Sequence, residues 1–352
     1  MGRGTRSLAT KTALRICYFS SMYSTMRLPA AVALLCVWAV IACVSVHQRL
    51  DAPKRSADLG LCDQLPPIVQ HADTRPSPLR SAATAESAYQ TAFWGRVAFD
   101  AVPPFEINTH DPTLQDVYIS GSVHRGERWD PFLWTLLTHV LTARQHPQLV
   151  VDVGANLGYF SLMAAALGHA VVAFEPMGRN AAKLQASIAR NRGFVDKITL
   201  YQNAVASRAD EIVSLTATHA SNQGNGQMRY QPSFAGGVYG IDYAKTVRLD
   251  DVIDEDVLFI KIDVEGLEAE VLNGASNLLC RHIVRFIVIE FSEETRRSER
   301  CPAGRMLRRM EALGYAISDI VAGAPRLSAD AADYPPNLLF TLLDTSRPAQ
   351  CT

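Results

Sequence analysis

The chain has 352 residues, 48% of them hydrophobic, and a formal net charge of −1 at pH 7. This length is enough for one sizeable catalytic domain and an appendage. The net charge is near zero, so the chain lacks the excess of basic residues that is typical of nucleic-acid-binding proteins. We therefore predict no nucleic-acid partner.

The N-terminus is basic and then apolar. The first acidic residue is Asp51, residues 1–27 carry several arginines and lysines, and residues 28–46 are uncharged and apolar. About 19 helical residues span roughly 28 Å, close to the thickness of a bilayer core. We therefore predict a cytosolic tail at 1–27 and a transmembrane signal anchor at 28–46, with the remainder of the chain in the lumen. A mitochondrial transit segment is the alternative, because the N-terminal segment is rich in arginine and serine and lacks acids.

Residues 47–87 are rich in proline, alanine, serine and arginine, which is typical of a stem without a packed core. Together with the anchor, the stem predicts a single-pass type II membrane protein that faces the lumen of the Golgi or endoplasmic reticulum. Residues 88–352 are then predicted to form the catalytic domain.

The first elements of that domain are a predicted short strand at 117–120 and a helix from Pro131 to about Arg144. Asp130 is a suitable N-cap for this helix, and proline is favoured at the first helical position.

The central stretch has the pattern of a strand, a glycine-containing turn, a helix and a second strand. The two predicted strands, Leu149–Val151 and Ala170–Phe174, are apolar runs, and each is followed by an acid, Asp152 and Glu175. This order predicts the first half of a nucleotide-binding α/β domain. The turn lacks the G-x-G-x-x-G fingerprint, which counts against a nicotinamide oxidoreductase.

The two acids indicate the kind of ligand. Asp152 would repel a pyrophosphate but accept a hydrogen bond from an ammonium group, and Glu175 could accept from both hydroxyls of a ribose. S-adenosylmethionine carries both groups and no phosphate, so it is the predicted cofactor. An ordinary βαβ turn with a polar cap is the alternative.

The rest of the domain continues the alternation of helices and strands, with a Gly/Asn-rich segment at 218–243 that is typical of a functional loop. The predicted strands are 198–202, 211–217, 257–263, 284–289, 315–320 and 338–343, the last antiparallel. The predicted helices are 179–192, 267–279 and 303–313.

Three motifs resemble those of the FkbM family of S-adenosylmethionine-dependent methyltransferases. They are VDVGANLGYFSL at 151–162, FEP at 174–176 and KIDVEG at 261–266, and the resemblance runs from about 121 to 291. It implies the class I methyltransferase fold, a Rossmann-like, doubly wound and mostly parallel seven-stranded sheet. The family's best-understood members resemble O-methyltransferases that act on sugar or polyketide hydroxyls.

The predicted site residues divide into two sets. Asn203 is placed beside the adenine by its position in this fold, with a strand-end cap as the alternative. The complete cofactor-binding set is Asp152, Gly154, Asn156, Gly158, Glu175 and Asn203.

The catalytic set is Lys261, Asp263 and Glu265. Lys261 and Asp263 are two residues apart on a strand and face the same side. Asp263 or Glu265 would be the base and Lys261 would orient or stabilise the acceptor oxygen; a structural Lys261–Asp263 pair is the alternative. Asp263, Glu265 and Glu290 offer oxygen ligands, but their spacing does not demand a metal, and no metal site is predicted.

The predicted function is O-methylation of a hydroxyl on a sugar or glycan in the secretory pathway. A lipid or another small molecule is an alternative acceptor, and a non-catalytic lumenal binding protein that keeps the fold is an alternative function. Among the four cysteines on the lumenal side, a Cys280–Cys301 disulfide is predicted.

Overall fold

The computed structural model describes residues 76–78, 93–217, 219, 221–222, 226–229, 241–292, 295, 303–321, 323–330 and 333–344. The predicted tail, the anchor and nearly all of the stem lie outside these ranges. None of the helices within them is both long and apolar enough to cross a membrane. Cys280 is disulfide-bonded. Cys301 is among the residues not described, so this pairing stays a prediction.

Strands and helices alternate through most of the described chain. The helices are α1 (Ile119–Arg125), α2 (Pro131–Thr142), α3 (Tyr159–Ala166), α4 (Gly178–Arg190), α5 (Glu268–Asn273), α6 (Ser276–Arg281) and α7 (Ala303–Ala312). The first nine strands are β1 (Phe93–Phe99), β2 (Val102–Thr109), β3 (Leu149–Val153), β4 (Ala170–Phe174), β5 (Ile198–Tyr201), β6 (Ala204–Val205), β7 (Ile212–Thr216), β8 (Gln227–Arg229) and β9 (Ile241–Val247). The last five are β10 (Val257–Ile262), β11 (Val284–Glu290), β12 (Tyr315–Asp319), β13 (Arg326–Leu327) and β14 (Asn337–Leu342).

The main sheet has the strand order β13-β12-β14-β11-β10-β3-β4-β5. The strands from β11 to β5 are parallel, and β14 runs antiparallel between β11 and β12. Seven of these strands have the arrangement predicted for a class I methyltransferase, so that fold is confirmed. The predicted strand count was one too low, because the two-residue β13 pairs with the edge strand β12.

The core lies on both faces of this sheet. Every residue of β3 and of β10 is buried, as expected for central parallel strands covered by helices on both sides. The apolar runs from which these two strands were predicted therefore reflect the burial of both faces of the sheet.

A hairpin of β1 and β2 precedes the sheet and packs on α3 and α4. A smaller sheet, ordered β6-β9-β7-β8, includes β8 and β9 from the Gly/Asn-rich segment and its surroundings. The extra strand predicted at 211–217 is confirmed as β7.

The strand predicted at 117–120 is wrong, because helix α1 begins at Ile119. Asp116 is the physical cause: its carboxylate accepts from the backbone N–H of Tyr118 at 3.0 Å and of Ser120 at 2.8 Å. An aspartate that satisfies nearby backbone donors favours a turn and a helix start over a strand. The predicted N-cap of α2 is confirmed, since Asp130 Oδ1 accepts from Leu133 N at 2.9 Å.

The single helix predicted at 267–279 is also wrong, because α5 and α6 are separated at Gly274 and Ala275. A Cβ at Gly274 would lie 2.1 Å from the carbonyl oxygen of Ala206. The break therefore coincides with a close approach of two backbones, which only glycine permits at this position.

Candidate active site

The candidate site lies where the chain reverses direction across the sheet. From β3 the chain continues to β4 on one side, while β10 pairs with β3 on the other, with Lys261 opposite Asp152. In open α/β sheets, ligands bind at such a switch point, beyond the carboxyl ends of the strands. The two sequence motifs that predicted the site follow these two adjacent strands.

An open cleft of about 620 Å³, which includes solvent-exposed space, lies at this point. Six of the predicted residues line it, namely Gly154, Asn156, Glu175, Asn203, Asp263 and Glu265. Asp152, Gly158 and Lys261 are not among the lining residues.

Glu175 is the buried acid of the cleft. Its Oε2 accepts from Asn156 N at 2.7 Å and its Oε1 from Met177 N at 2.9 Å. Only 4% of the residue is exposed. Burial raises the pKa of Glu175 to about 7, against the opposing effect of these backbone donors. Oε1 also accepts from Asn180 Nδ2 at 3.3 Å, so the second lone pair of Oε2 is the one that can accept from a ligand.

Two asparagines and several apolar groups complete this side of the cleft. Asn156 adopts the left-handed conformation with φ 52°. Its Oδ1 is buried, and no described group donates to it. Asn203 also lines the cleft, although its Nδ2 donates to the carbonyl of Lys245 at 3.1 Å. Met177, Leu215 and Met228 supply an apolar wall, and Met228 lies in the Gly/Asn-rich segment that we predicted to be a functional loop.

Lys261 lies behind the cleft, with three protein partners. Its ammonium is 3.5 Å from Asp152 Oδ1, 3.3 Å from Asp263 Oδ2 and 3.1 Å from the carbonyl oxygen of Gly154. Burial alone would lower the pKa of Lys261, but Asp263 and Asp152 raise it above the ordinary value for lysine. The structural pair left open by the sequence is therefore present, and direct contact of Lys261 with an acceptor stays a prediction.

Asp152 is likewise tied to the protein. It is 2% exposed, and its Oδ2 accepts from Ser161 Oγ at 2.6 Å. These contacts make it an anchor between β3, α3 and Lys261. The predicted contact between Asp152 and the ammonium group of a cofactor stays a prediction.

The glycines of the turn make room for protein rather than for a ligand. A Cβ on Gly154 would lie 1.9 Å from the carbonyl oxygen of Asp263, and one on Gly158 would lie 2.1 Å from Leu184 Cδ1. Gly154 thus lets the turns after β3 and β10 touch, and Gly158 lets α4 pack against the start of α3. Cofactor contacts by these glycines stay predictions.

Replacing Gly154 by alanine should cost about 2–5 kcal/mol of unfolding free energy, because a left-handed backbone strain adds to an overpacking penalty. Gly168→Ala is the matched control, since Gly168 has φ 95° but no atom within 4 Å of its virtual Cβ. The control should lose only about 1–2 kcal/mol. Urea denaturation of both variants measures the difference, and equal losses would contradict the proposed close contact.

Three carboxyl groups meet at the carboxyl ends of β10 and β11. Oxygens of Asp263, Glu265 and Glu290 lie within 4.8 Å of one another, so they are the described residues best placed to bind a cation. Burial, and then Asp263, Glu265 and Glu268, raise the pKa of Glu290 well above its ordinary value. Glu290 therefore holds a proton at neutral pH, which lowers the repulsion within the group.

A fourth acid shapes the turn that carries Glu265. Glu268 is fully buried, and its Oε1 accepts from Val264 N at 3.2 Å and Gly266 N at 3.1 Å. Its Oε2 accepts from Thr295 Oγ1 at 2.6 Å. Glu265 itself has φ 57°. Glu268 thus holds a tight turn in place below the cleft, and the sequence analysis did not predict this role.

Sequence reasoning also missed a polar group behind Glu175. Asn180 Nδ2 donates to Glu175 Oε1 at 3.3 Å, and Asn180 Oδ1 lies 2.8 Å from His110 Nε2. Helices α1, α2 and α3 and strands β3 and β4 lie between His110 and Glu175 in the chain, so no local motif could reveal this contact.

Comparison with known proteins identifies the domain. Residues 152–317 match the family model described as the methyltransferase FkbM domain. This match confirms the resemblance inferred from the motifs over this part of the chain. No curated protein matches the chain significantly.

Solved structures of methyltransferases are similar at low identity. One is methyltransferase FkbM from Methylobacillus flagellatus KT, with 16% identity, a TM-score of 0.36, and coverage of 73% of this chain and 58% of that chain. Another is magnesium protoporphyrin IX methyltransferase from Synechocystis PCC 6803 with bound SAM, with 10% identity, a TM-score of 0.35, and coverage of 59% and 77%. The aligned part spans less than two thirds of the Methylobacillus protein, and at these TM-scores the similarity carries no functional argument.

Proposed function

Because residues 152–317 form an FkbM methyltransferase domain, we propose that the protein is an S-adenosylmethionine-dependent methyltransferase that acts on a hydroxyl of a glycan. The observation that carries this proposal is the position of Glu175, a buried carboxylate at the switch point of the sheet. Its two oxygens are oriented by the backbone donors of Asn156 and Met177, and Oε2 keeps a lone pair for a ribose hydroxyl.

The cleft fits this cofactor on further grounds. The buried Oδ1 of Asn156 lacks a described donor, and the amino or hydroxyl groups of the cofactor can supply one. Met177, Leu215 and Met228 offer an apolar surface for an adenine ring. Glu175, Asp263 and Glu265 give the cleft a negative charge, which suits a sulfonium and disfavours a phosphorylated cofactor.

S-adenosylmethionine, when bound, supplies a methyl group already activated by its sulfonium. The residues of this chain must then hold the acceptor hydroxyl in line and remove its proton. Asp263 is the better-placed base, because its side chain is 42% exposed while its Oδ2 is fixed 3.3 Å from Lys261 Nζ. Glu265 remains the alternative base, and Lys261 acts by holding Asp263.

The sequence and one structural observation support a lumenal setting. The basic tail, the apolar stretch and the stem favour a type II anchor in the Golgi or endoplasmic reticulum, with mitochondria as the alternative. The disulfide at Cys280 is the state expected in an oxidising compartment. A glycan acceptor follows from that location, and a lipid or another small molecule remains the alternative acceptor.

A methyl-transfer assay with labelled S-adenosylmethionine and a panel of neutral sugars tests this proposal. Asp263→Asn should lower kcat about 10²–10⁴-fold, the usual contribution of a general base. Asp254→Asn is the matched control, because Asp254 is an exposed partner of His282 at a distant loop. Its kcat should be unchanged.

Two results would count against the proposal. Transfer to amines or thiols but to no hydroxyl would contradict O-methylation. Cofactor binding with no transfer to any acceptor class would favour a binding protein that keeps the fold.

A further inference from the structure

A chain of hydrogen bonds connects the cleft acid to the segment after β2. Asn180 Nδ2 donates to Glu175 Oε1 at 3.3 Å, and Asn180 Oδ1 is 2.8 Å from His110 Nε2. All three residues are buried, with Asn180 at 0% and His110 and Glu175 at 4% exposure. No solvent is therefore available to replace these contacts if one is removed.

The direction of each hydrogen bond follows from chemistry. A carboxylate only accepts, so the Asn180 group that faces Glu175 is the NH₂. The opposite group, Oδ1, only accepts, so His110 must carry its proton on Nε2. Burial lowers the pKa of His110 to about 4, so the ring stays neutral at physiological pH, in this one tautomer.

His110 is itself held from behind. Its backbone N–H donates to Ser120 Oγ at 3.2 Å, and Ser120 Oγ donates to Asp116 Oδ2 at 2.6 Å. Val117, which follows Asp116 in the chain, donates its N–H to the carbonyl of Ser221 at 3.1 Å. Ser221 belongs to the Gly/Asn-rich segment. Ser120 and Asp116 thus hold the backbone from which the imidazole extends.

We infer that Asn180 and His110 are positioning residues for the cofactor. His110 fixes the Asn180 amide, and that amide fixes the Glu175 carboxylate so that the free lone pair of Oε2 faces the cleft. Neither residue lines the cleft, and neither is needed for chemistry at the methyl group. The inference rests on the proposed function, because it assumes that Glu175 binds the ribose.

Charged groups around this path set the expected pH behaviour. Lys183 and Arg179 from α4 and the nearby Asp116 act on His110, while Lys261 and Arg179 act on Glu175. Burial raises the pKa of Glu175 to about 7, so the affinity between pH 6 and pH 8 should follow the protonation of Glu175. Loss of the Asn180 donor removes an interaction that favours the ionised carboxylate, which moves the titration of Glu175 to higher pH.

The test is titration calorimetry of the full-length protein with S-adenosylmethionine from pH 6 to pH 9. Asn180→Leu should weaken affinity about tenfold at pH 8 and move the midpoint of its pH dependence up by about one unit. His110→Leu should act in the same direction. His110→Gln should restore affinity to within about threefold of the wild type, because its amide can donate to Asn180 Oδ1.

Asn191→Leu is the matched control. Asn191 links the same helix region to the same hairpin, since its Nδ2 donates to the carbonyl of Glu106 at 2.7 Å and its Oδ1 accepts from Glu106 N at 2.9 Å. Its loss should lower stability but leave cofactor affinity and its pH dependence unchanged. If Asn180→Leu fails to fold, the comparison of His110→Leu with His110→Gln decides.

The failures are distinguishable. A wild-type protein that binds cofactor, with unchanged affinity and pH midpoint in Asn180→Leu and His110→Leu, would overturn this inference alone. A folded wild-type protein that binds no cofactor would overturn the proposed function and this inference with it.

Discussion

Lys261→Met should lower the free energy of unfolding by about 3–5 kcal/mol, the cost of leaving a buried charge without its partner. Lys261 is 7% exposed. Its ammonium contacts the carboxylates of Asp152 and Asp263 and the carbonyl oxygen of Gly154. Without its ammonium, the buried carboxylate of Asp152 faces an apolar side chain. Urea denaturation of the full-length protein, monitored by circular dichroism, measures the loss.

Two further variants separate the charge effect from simple loss of packing. Adding Asp152→Asn to Lys261→Met should recover at least half of the lost free energy, since the unpaired charge is then removed. Lys197→Met should cost less than about 1 kcal/mol, because the Lys197 ammonium contacts only a backbone carbonyl and the Phe194 ring among the described groups. Equal losses for Lys261→Met and Lys197→Met would show that Lys261 does not neutralise the turn.

This stabilisation should be insensitive to pH over the neutral range. Asp263 and Asp152 hold the pKa of Lys261 above its ordinary value, so the folded state binds the proton more tightly than the unfolded state. The contribution is therefore complete below the ordinary lysine pKa and is lost only as pH rises through the higher folded-state value.

Glu175→Ala should weaken S-adenosylmethionine binding about 100-fold, which corresponds to about 2.7 kcal/mol. One charge-assisted hydrogen bond from a ribose hydroxyl to Glu175 Oε2 is sufficient to account for a loss of this size. Since burial raises the pKa of Glu175 to about 7, the wild-type affinity should fall as pH decreases below 7, when the carboxylate takes up a proton. The Glu175→Ala variant should lose this pH dependence as well.

Glu106→Ala is the control for Glu175→Ala. Glu106 lies on β2, pairs with Arg190, and is partly exposed away from the cleft. Its removal should leave the dissociation constant within about threefold of the wild type. A Glu175→Ala protein that binds as tightly as this control would refute the assigned role of Glu175.

The elements that could be predicted from the sequence are those whose cause is local. β3, β4 and β10 are continuous apolar runs, and the Asp130–Pro131 pair marks the start of α2 through a cap and a preferred proline position. Such signals lie within a few residues of the element that they specify.

One error arose where a distant contact decides the structure, since the break at Gly274 depends on the carbonyl of Ala206. The error at α1 has a local cause, because the carboxylate of Asp116 satisfies nearby backbone donors while the apolar pattern favoured a strand. The β1–β2 hairpin had no assignment from the sequence, because its packing partners α3 and α4 follow it in the chain.

In the candidate site, too, the positions of the residues could be predicted from local sequence, whereas their burial and long-range contacts could not. Three adjacent parallel strands, β10, β3 and β4, bring Asp152, Glu175 and Asp263 to one edge of the sheet, as their positions after apolar runs predicted. Burial could not be predicted from these positions. It makes Asp152 an anchor and it raises the pKa of Glu175 to about 7. The support of Glu175 by His110 joins residues far apart in sequence and has no local signal.

Titration of the full-length protein with S-adenosylmethionine measures directly whether this cleft binds the cofactor. One molecule per chain should bind saturably at pH 8, in the low-micromolar range, and binding should be weaker at pH 6. A folded protein that shows no saturable binding at either pH would contradict the claim.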